Sequence, residues 1–495
     1  MSARFTDGRL SARPARLIVE HVNAVELTDE LAEAESFVLI DLAHALMLTR
    51  QQIFGPEQGR AIVRALLALL DGGPARMLGN DPEIGTITMH IERYLERTCG
   101  PGGLDIQRAR SRIDQNATGL RMADRAGALA VLAELVRLAE TLLDAADTHD
   151  GVLVPGYTHL QHAQPTTLGH YFNAHYWSAS RNLRRLIQGY DRLNECPLGG
   201  AAHSGTRWPI DRDLTAGYLG FARAVRNARD AGMSATDVGA ELAGTLGLTL
   251  SGISRCASDL YYWSSSEVAM VRLHPSLCGT SSMMPQKRNP IALERIRALA
   301  GDAAGWGASQ LALLHFATST DADQGYVHNR LPGYCAETAG AIALLSESIA
   351  TLEIDVDRLA ASAGRHWATA SALADDLVGA HGLSYREAHE VVARLVTAHE
   401  NAGEPDSGIR PELAVGKLAG YSGQRLAQLL DPRGFVESRT SAGGTSETRR
   451  KELAAAARDD LLDQRRLVDS LADSVTQARA RLLGDAAALV NGSPG

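Results

Sequence analysis

Disulfide and zinc chemistry have little to work with in this chain. Its five cysteines, Cys99, Cys196, Cys256, Cys278 and Cys335, lie far apart and form no C-x-x-C pair. That spacing speaks against a zinc ribbon or a thioredoxin-type site and fits a reducing compartment. Long apolar runs are missing as well. None approaches the ~18 residues of a membrane span, and the opening MSARFTDGRLSARPARLIVEHV holds no apolar leader core. The expectation is a cytoplasmic protein with no membrane partner. A basic excess is also lacking. Net charge is −9 over 495 residues and Lys and Arg are scattered, which argues against nucleic acid as a partner. Strand-like alternation, internal repeats and low-complexity tracts are scarce or absent. What remains, 45% hydrophobic and 22% charged, is an ordinary globular composition with enough chain for several domains.

Helical periodicity fills most of the length, so the expected class is all-α with three helical domains. Residues 1–115 open with a polar arm, SARFTDGRLSARP. Helical patterns follow over about 29–49 and 56–72, and ITMHIERYLERTCG ends at a C-terminal glycine, Gly100. Residues 116–365 carry five long patterns, at 119–148, 167–195, 236–263, 291–315 and 334–361. LAVLAELVRLAETLLDAA is apolar most of the way round, as is TDVGAELAGTLGLTLSGISRCASDLYYW. Such helices are buried on several faces. They predict a central bundle that also packs against copies of itself. Residues 366–495 continue in helices. One ends at Gly382, one opens with the capping-box pair Ser384 and Glu387, and a last one runs to about 484.

Three polar segments interrupt the helices: RSRIDQNAT (110–118), PGYTHLQHAQPTTLGH (155–170) and GTSSMMPQKRNP (279–290). In the third, Pro285 and Pro290 hold the backbone extended and out of any helix. Each segment sits near a bundle-helix end, where antiparallel packing brings ends to one level, within a chain or between chains. Their pooled groups are Ser111, Arg112, Thr158, His159, Gln161, Ser281, Ser282, Lys287 and Asn289. Two cations and many neutral donors with little acid suit a substrate carrying carboxylates. His159 and the serines can move protons. His162, His170 and His175 follow His159 at spacings that fit no helical metal pair, so no metal site is expected, and these three read as surface or core histidines. Plain structural readings stand beside the functional ones: a Ser-Ser turn, a solvated Lys287 and an Arg112 ion pair.

GTSSMMPQKRNP resembles the G-S-S-x-x-P-x-K-x-N-P signature of the aspartase/fumarase superfamily. RCASDLYYWSSSEVAMVRLHPSLCGTSSMMPQKRNPIALERIRALAG, YTHLQHAQP, RSRIDQNAT, TRWPIDRDLTAGYLGF, ATASALADDLV, YREAHEVVARLV and SAGGTS are similar to segments of its argininosuccinate lyase branch. The resemblance spans nearly the whole chain. It implies a homotetramer with a central twenty-helix bundle, active sites each built from three subunits, no cofactor, and reversible elimination that releases fumarate. It assigns Ser281 as general base. Lys287 and Asn289 would hold the charge of a dianionic aci-carboxylate. It pairs His159 with Glu294, whose plain reading is an acid favoured by its helix N-terminus. Thr158, Ser111 and Arg112 take the other carboxylate, and Gln161, Ser282 and Met284 complete the substrate contacts.

Departures from the branch fall on the substrate side. Thr86 and Thr88 stand where an Asp and a His are usual. Ile113 replaces an Asn that donates to a carboxylate. Met233, Ser234, Ala235 and Thr236 replace S-D-R-D, residues 317–330 do not hold the branch's tyrosine, glutamine and lysine at their usual places, and Thr280 replaces the Gly before the serine pair. The expected activity is thus a carbon–nitrogen lyase acting on an N-substituted L-aspartate whose amine is not arginine, such as ethylenediamine-N,N′-disuccinate. Argininosuccinate cleavage is the alternative. A crystallin-like structural protein on the same scaffold is a third reading, disfavoured by the intact Ser281, Lys287, Asn289, His159 and Glu294.

Overall fold

The computed structural model describes residues 13–233, 235–313, 330–403 and 409–492. Among these, the only β structure is a set of two-residue pairs, and helices make up the rest of the regular backbone. The bundle is built from α1 (Arg112–Thr148), α2 (Leu168–Leu193), α3 (Ala235–Trp263), α4 (Ile291–Ala303) and α5 (Leu331–Ala350). One continuous core runs through it, with Leu135, Leu142, Tyr176, Leu183, Leu250, Leu260, Ile296 and Ile342 fully or almost fully buried. A second core holds the N-terminal helices Ala34–Arg50, Pro56–Asp71 and Ile87–Cys99. A third gathers Leu373, Leu377, Leu395, Leu418 and Leu426. No helix among the described residues is long and apolar enough to cross a membrane.

Several expected boundaries move, each for a local reason. The segment 110–118 is not a loop: α1 already begins at Arg112. Ser111 is its N-cap and forms a capping box with Asp114, whose Oδ1 accepts the Ser111 N–H at 3.0 Å. The 29–49 pattern breaks at Glu33, leaving helices Ala24–Ala32 and Ala34–Arg50. The 291–315 pattern divides at Gly305, and Trp306–Ala312 is a separate helix. The 334–361 pattern divides after Ala350, where Glu353–Ile354 pairs antiparallel with Val271–Arg272 and Asp355 caps a new helix, Val356–Ala363. Gly100 and Gly382 do end their helices with positive φ, at 71° and 64°. The Ser384–Glu387 capping box is formed.

The last helix, α6 (Glu447–Asn491), runs past the expected 484 and leaves the C-terminal core altogether. Its 45 residues span roughly 68 Å at the usual rise. Ala457, Leu461 and Val468 join the bundle core, while Leu482 and Ala486 join the N-terminal core. Polar bonds fix its course. Tyr176 and Ser180 hydroxyls donate to Asp460 at 2.8 and 2.6 Å, and Tyr218 donates to Asp485 at 2.6 Å. The helix therefore ties the two cores together.

Candidate active site

The loop after α3 is a tight hairpin. Gly279 pairs with Asn289 and Thr280 with Arg288, leaving 281–287 as its tip. Gly279 leaves room for the Ile291 side chain, whose Cγ2 a Cβ there would meet at 2.9 Å. At the tip, Ser281 Oγ accepts the amide N–H groups of Met283 and Met284 at 3.3 and 3.0 Å. The Lys287 amide closes a turn on Met284 O at 3.1 Å. Ser281 and Asn289 are half-buried, while Ser282, Met284 and Lys287 are exposed. Two donors aimed at one hydroxyl oxygen favour its ionised form.

Thr158, His159 and Gln161 share a second hairpin, Tyr157–Thr158 paired with Gln161–His162. Its two turn residues, His159 and Leu160, both have positive φ, at 55° and 59°. This is the backbone of a two-residue primed turn, which usually takes Asn-Gly. Holding two side-chain-bearing residues there costs about 1–3 kcal/mol each, and the result is an imidazole at the exposed tip. Below it the hairpin is anchored by Tyr157 edge-on to Tyr262 at 5.8 Å and by His162 Nε2 to Ser362 Oγ at 3.0 Å. His170 bonds Thr166 Oγ1 and Gly443 O, and His175 packs on Tyr171. Burial pushes His175 down to about 4.

Glu294 lies in the first turn of α4, where Tyr261 OH donates to its Oε1 at 3.4 Å. Tyr261 and Tyr262 are successive residues of α3, so they face about 100° apart on that helix. The hairpin and Glu294 thus sit at one end of α3 but on different faces. Among the described residues, His159 and Glu294 of one chain make no bond to each other. Ser111 and Arg112 are elsewhere. They open α1, whereas the hairpin follows its far end, 37 residues on, roughly 55 Å away along the helix. A single chain brings Thr158, His159 and Gln161 together, and Ser281, Ser282, Met284, Lys287 and Asn289 together. It does not bring either group to Ser111 and Arg112.

Beneath Ser111 and Arg112 lies a buried polar raft. Arg110 pairs with Asp41 at 2.6 Å, both side chains sealed from solvent, and Gln115 donates to the same Asp41 oxygen at 2.9 Å. His44 Nε2 lies 2.9 Å from Arg108 O, and burial together with the Arg110 charge pushes it well down. Asp114 Oδ2 accepts the Gly199 and Ala201 amides at 3.0 and 2.9 Å. Of the departing residues, Thr86 and Thr88 are buried and share a hydroxyl contact of 2.9 Å. Residues 317–329, Ser234 and the side chains of 233, 235 and 236 lie outside the described residues.

One residue beside this raft escaped sequence reasoning. Glu30 Oε2 accepts the Ile87 N–H at 2.7 Å, capping a helix whose own N-cap, Thr86, makes no such bond. Burial pushes Glu30 up to about 7. The Ile87 amide and Arg112 oppose that rise, while Glu26 and Asp29 reinforce it. Between pH 4.5 and 7 the native carboxyl holds a proton that the unfolded one has lost. Its contribution is therefore complete below pH 4.5 and is lost as pH rises through 7. Glu30→Gln keeps the acceptor and removes the titration. Thermal unfolding at pH 8 is expected to find the variant more stable than the parent by up to about 3 kcal/mol, with no gain at pH 4.5. A parent more stable at pH 8 contradicts this.

The chain is similar to known lyases along its length. Residues 59–305 match the family described as Lyase, and residues 367–437 match the argininosuccinate lyase C-terminal family. It is 36% identical over 450 residues to the argininosuccinate lyase of Methanoculleus marisnigri, covering 90% of each chain. It is 33% identical over 484 residues to that of Methanocorpusculum labreanum, covering 97% of each. Among solved structures, an EDDS lyase variant with bound fumarate superposes with a TM-score of 0.84 at 29% identity, covering 98% of this chain and 97% of the other.

Proposed function

The chain belongs to the argininosuccinate lyase branch of the aspartase/fumarase superfamily, as a fumarate-releasing carbon–nitrogen lyase, and from that premise we propose that it interconverts fumarate plus an amine other than arginine with an N-substituted L-aspartate. A diamine, as in ethylenediamine-N,N′-disuccinate, is the favoured class. The observation that carries the catalytic half is the pair of amides on Ser281 Oγ. A serine hydroxyl is a poor base at its free pKa, and oriented donors lower the energy of the alkoxide. The Cβ proton of the substrate passes to Oγ, and the electron pair enters the adjacent carboxylate as an aci-dianion. Lys287 and Asn289, at the tip and base of the same hairpin, hold that charge. The pair then forms the C=C bond as the C–N bond breaks, and the nitrogen leaves as the protonated amine. His159, oriented by Glu294, supplies that proton or anchors the substrate. Ser111, Arg112 and Thr158 hold the second carboxylate, with Gln161, Ser282 and Met284 around it.

This reading requires neighbouring chains. The span of α1 keeps Ser111 and Arg112 roughly 55 Å from the hairpin of the same chain. A symmetric tetramer with antiparallel bundles brings the α1 start of one subunit to the 279–290 loop of another and the His159 hairpin of a third. Leu248, Leu311 and Ile291, each about half exposed or more on one chain, supply apolar surface for such packing.

Loss of the usual donors at Thr86, Thr88 and Ile113 supports an amine other than arginine, as does similarity to EDDS lyase along the full chain. The curated relatives named argininosuccinate lyase favour the alternative, cleavage of argininosuccinate. Fumarate mixed with ethylenediamine and other small amines is expected to lose its ultraviolet absorbance on addition of the protein, with the N-substituted aspartate appearing by NMR. Failure with every amine except arginine overturns the proposed class.

A further inference from the structure

The loop following α2 passes over the first turn of α1. Asp114 pins it by accepting the Gly199 and Ala201 amides, and the Gly205 N–H closes on Gly200 O at 3.2 Å. Inside this closure His203 has a φ of 73°, and Ala201 one of 49°. Such backbone at a residue with a Cβ is strained and persists only where surroundings impose it.

The strain places a ring. Gly232, in helix Ala228–Met233, leaves the space it occupies. A Cβ on Gly232 would meet His203 Cε1 at 2.9 Å, His203 Nδ1 at 3.0 Å and Ile113 Cδ1 at 3.9 Å. The imidazole and the Ile113 side chain thus share one small space, one residue from Arg112 and two from Ser111. Within it Nδ1 is sealed from solvent and has no hydrogen-bond partner among the described residues. A buried polar atom left unmet is destabilising. The fold therefore carries two penalties to hold this ring in a place where an apolar side chain would pack as well. A half-turn about Cβ–Cγ exchanges Nδ1 for Cδ2 and takes the nitrogen out of this sealed position.

We propose that His203 is a specificity-determining residue that binds the substrate carboxylate held by Ser111 and Arg112, supplying the hydrogen bond that the Ile113 side chain cannot make. The inference rests on the assignment of Ser111 and Arg112 to a substrate carboxylate. It gives the site a donor reaching in from the loop after α2 instead of from α1 itself. Room beside the α1 start is then shaped by an imidazole and an isoleucine.

Calorimetric titration with succinate, alongside steady-state kinetics in the fumarate-consuming direction, tests it. His203→Leu is expected to weaken succinate binding and raise KM for fumarate about 10- to 100-fold, the loss of one hydrogen bond to a charged group, with a much smaller change in kcat. Adding Ile113→Asn to His203→Leu is expected to recover most of that loss. A merely structural histidine would not allow this rescue from a different element. His203→Asn, which keeps a donor and tolerates positive φ, guards against a folding defect and is expected to lie between the two. Succinate binding in His203→Leu equal to the parent, or a double variant no better than His203→Leu, overturns the proposal. Absence of succinate binding in the parent itself would overturn the carboxylate assignment as well.

Discussion

Replacing Ser281 with alanine is expected to lower fumarate turnover by about 10³-fold, the usual scale for removing a general base. The hydroxyl accepts two backbone amides at the tip of a hairpin whose ladder, Gly279 to Asn289 and Thr280 to Arg288, does not involve it. The variant should therefore keep its helical circular dichroism and its assembly. Ser282, exposed one residue on, makes no contact of this kind among the described residues, and Ser282→Ala is expected to retain far more activity. Retention of parental turnover by Ser281→Ala would move the base elsewhere. A matched loss in both variants would point to collapse of the loop instead.

The second large effect concerns assembly. Ser281→Ala and Arg112→Ala are each expected to be nearly inactive alone. Mixed as unfolded chains and refolded together, they are expected to regain activity. Arg112 opens α1 and lies roughly 55 Å from the hairpins at the far end of the bundle. On the proposed reading each site draws Arg112 and Ser281 from different subunits. Random association leaves about a quarter of the sites with both residues intact, if closed symmetry gives every subunit equivalent roles. Recovery approaching that fraction of parental activity is the predicted result. No recovery, with mixed oligomers demonstrated by mass spectrometry, would place both residues in one chain's site.

Much of this arrangement is legible in the chain because its causes are local. The prolines at 285 and 290 forbid helix. Gly100 and Gly382 stop helices, and Ser384 with Glu387 starts one. The apolar breadth of LAVLAELVRLAETLLDAA demands burial on several faces. Where reading fails, the cause is mostly tertiary. The start of α1 is an exception: Ser111 and Asp114 have capping-box spacing, but the polar run after them masks the helix. The break after Ala350 depends on Glu353–Ile354 finding Val271–Arg272 far away in sequence, a pair too short for any alternation to show. The last helix looks like part of the C-terminal domain, yet Asp460 and Asp485 lead it to Tyr176 and Tyr218. The turn at His159 and Leu160 lacks the Asn-Gly that would announce it. Glu30 and His203 are unremarkable in sequence. Only the Ile87 amide, the Gly232 gap and the surrounding burial give them their character.

On the proposed reading, the 279–290 loop carries fumarate-forming elimination, and the leaving amine is chosen around Thr86, Ile113 and the start of α1. The most direct measurement is the ratio of kcat/KM for fumarate release from ethylenediamine-N,N′-disuccinate and from argininosuccinate, read by ultraviolet absorbance on one preparation. The predicted result is a ratio well above one. Efficient release from argininosuccinate with none from the diamine adduct would contradict it.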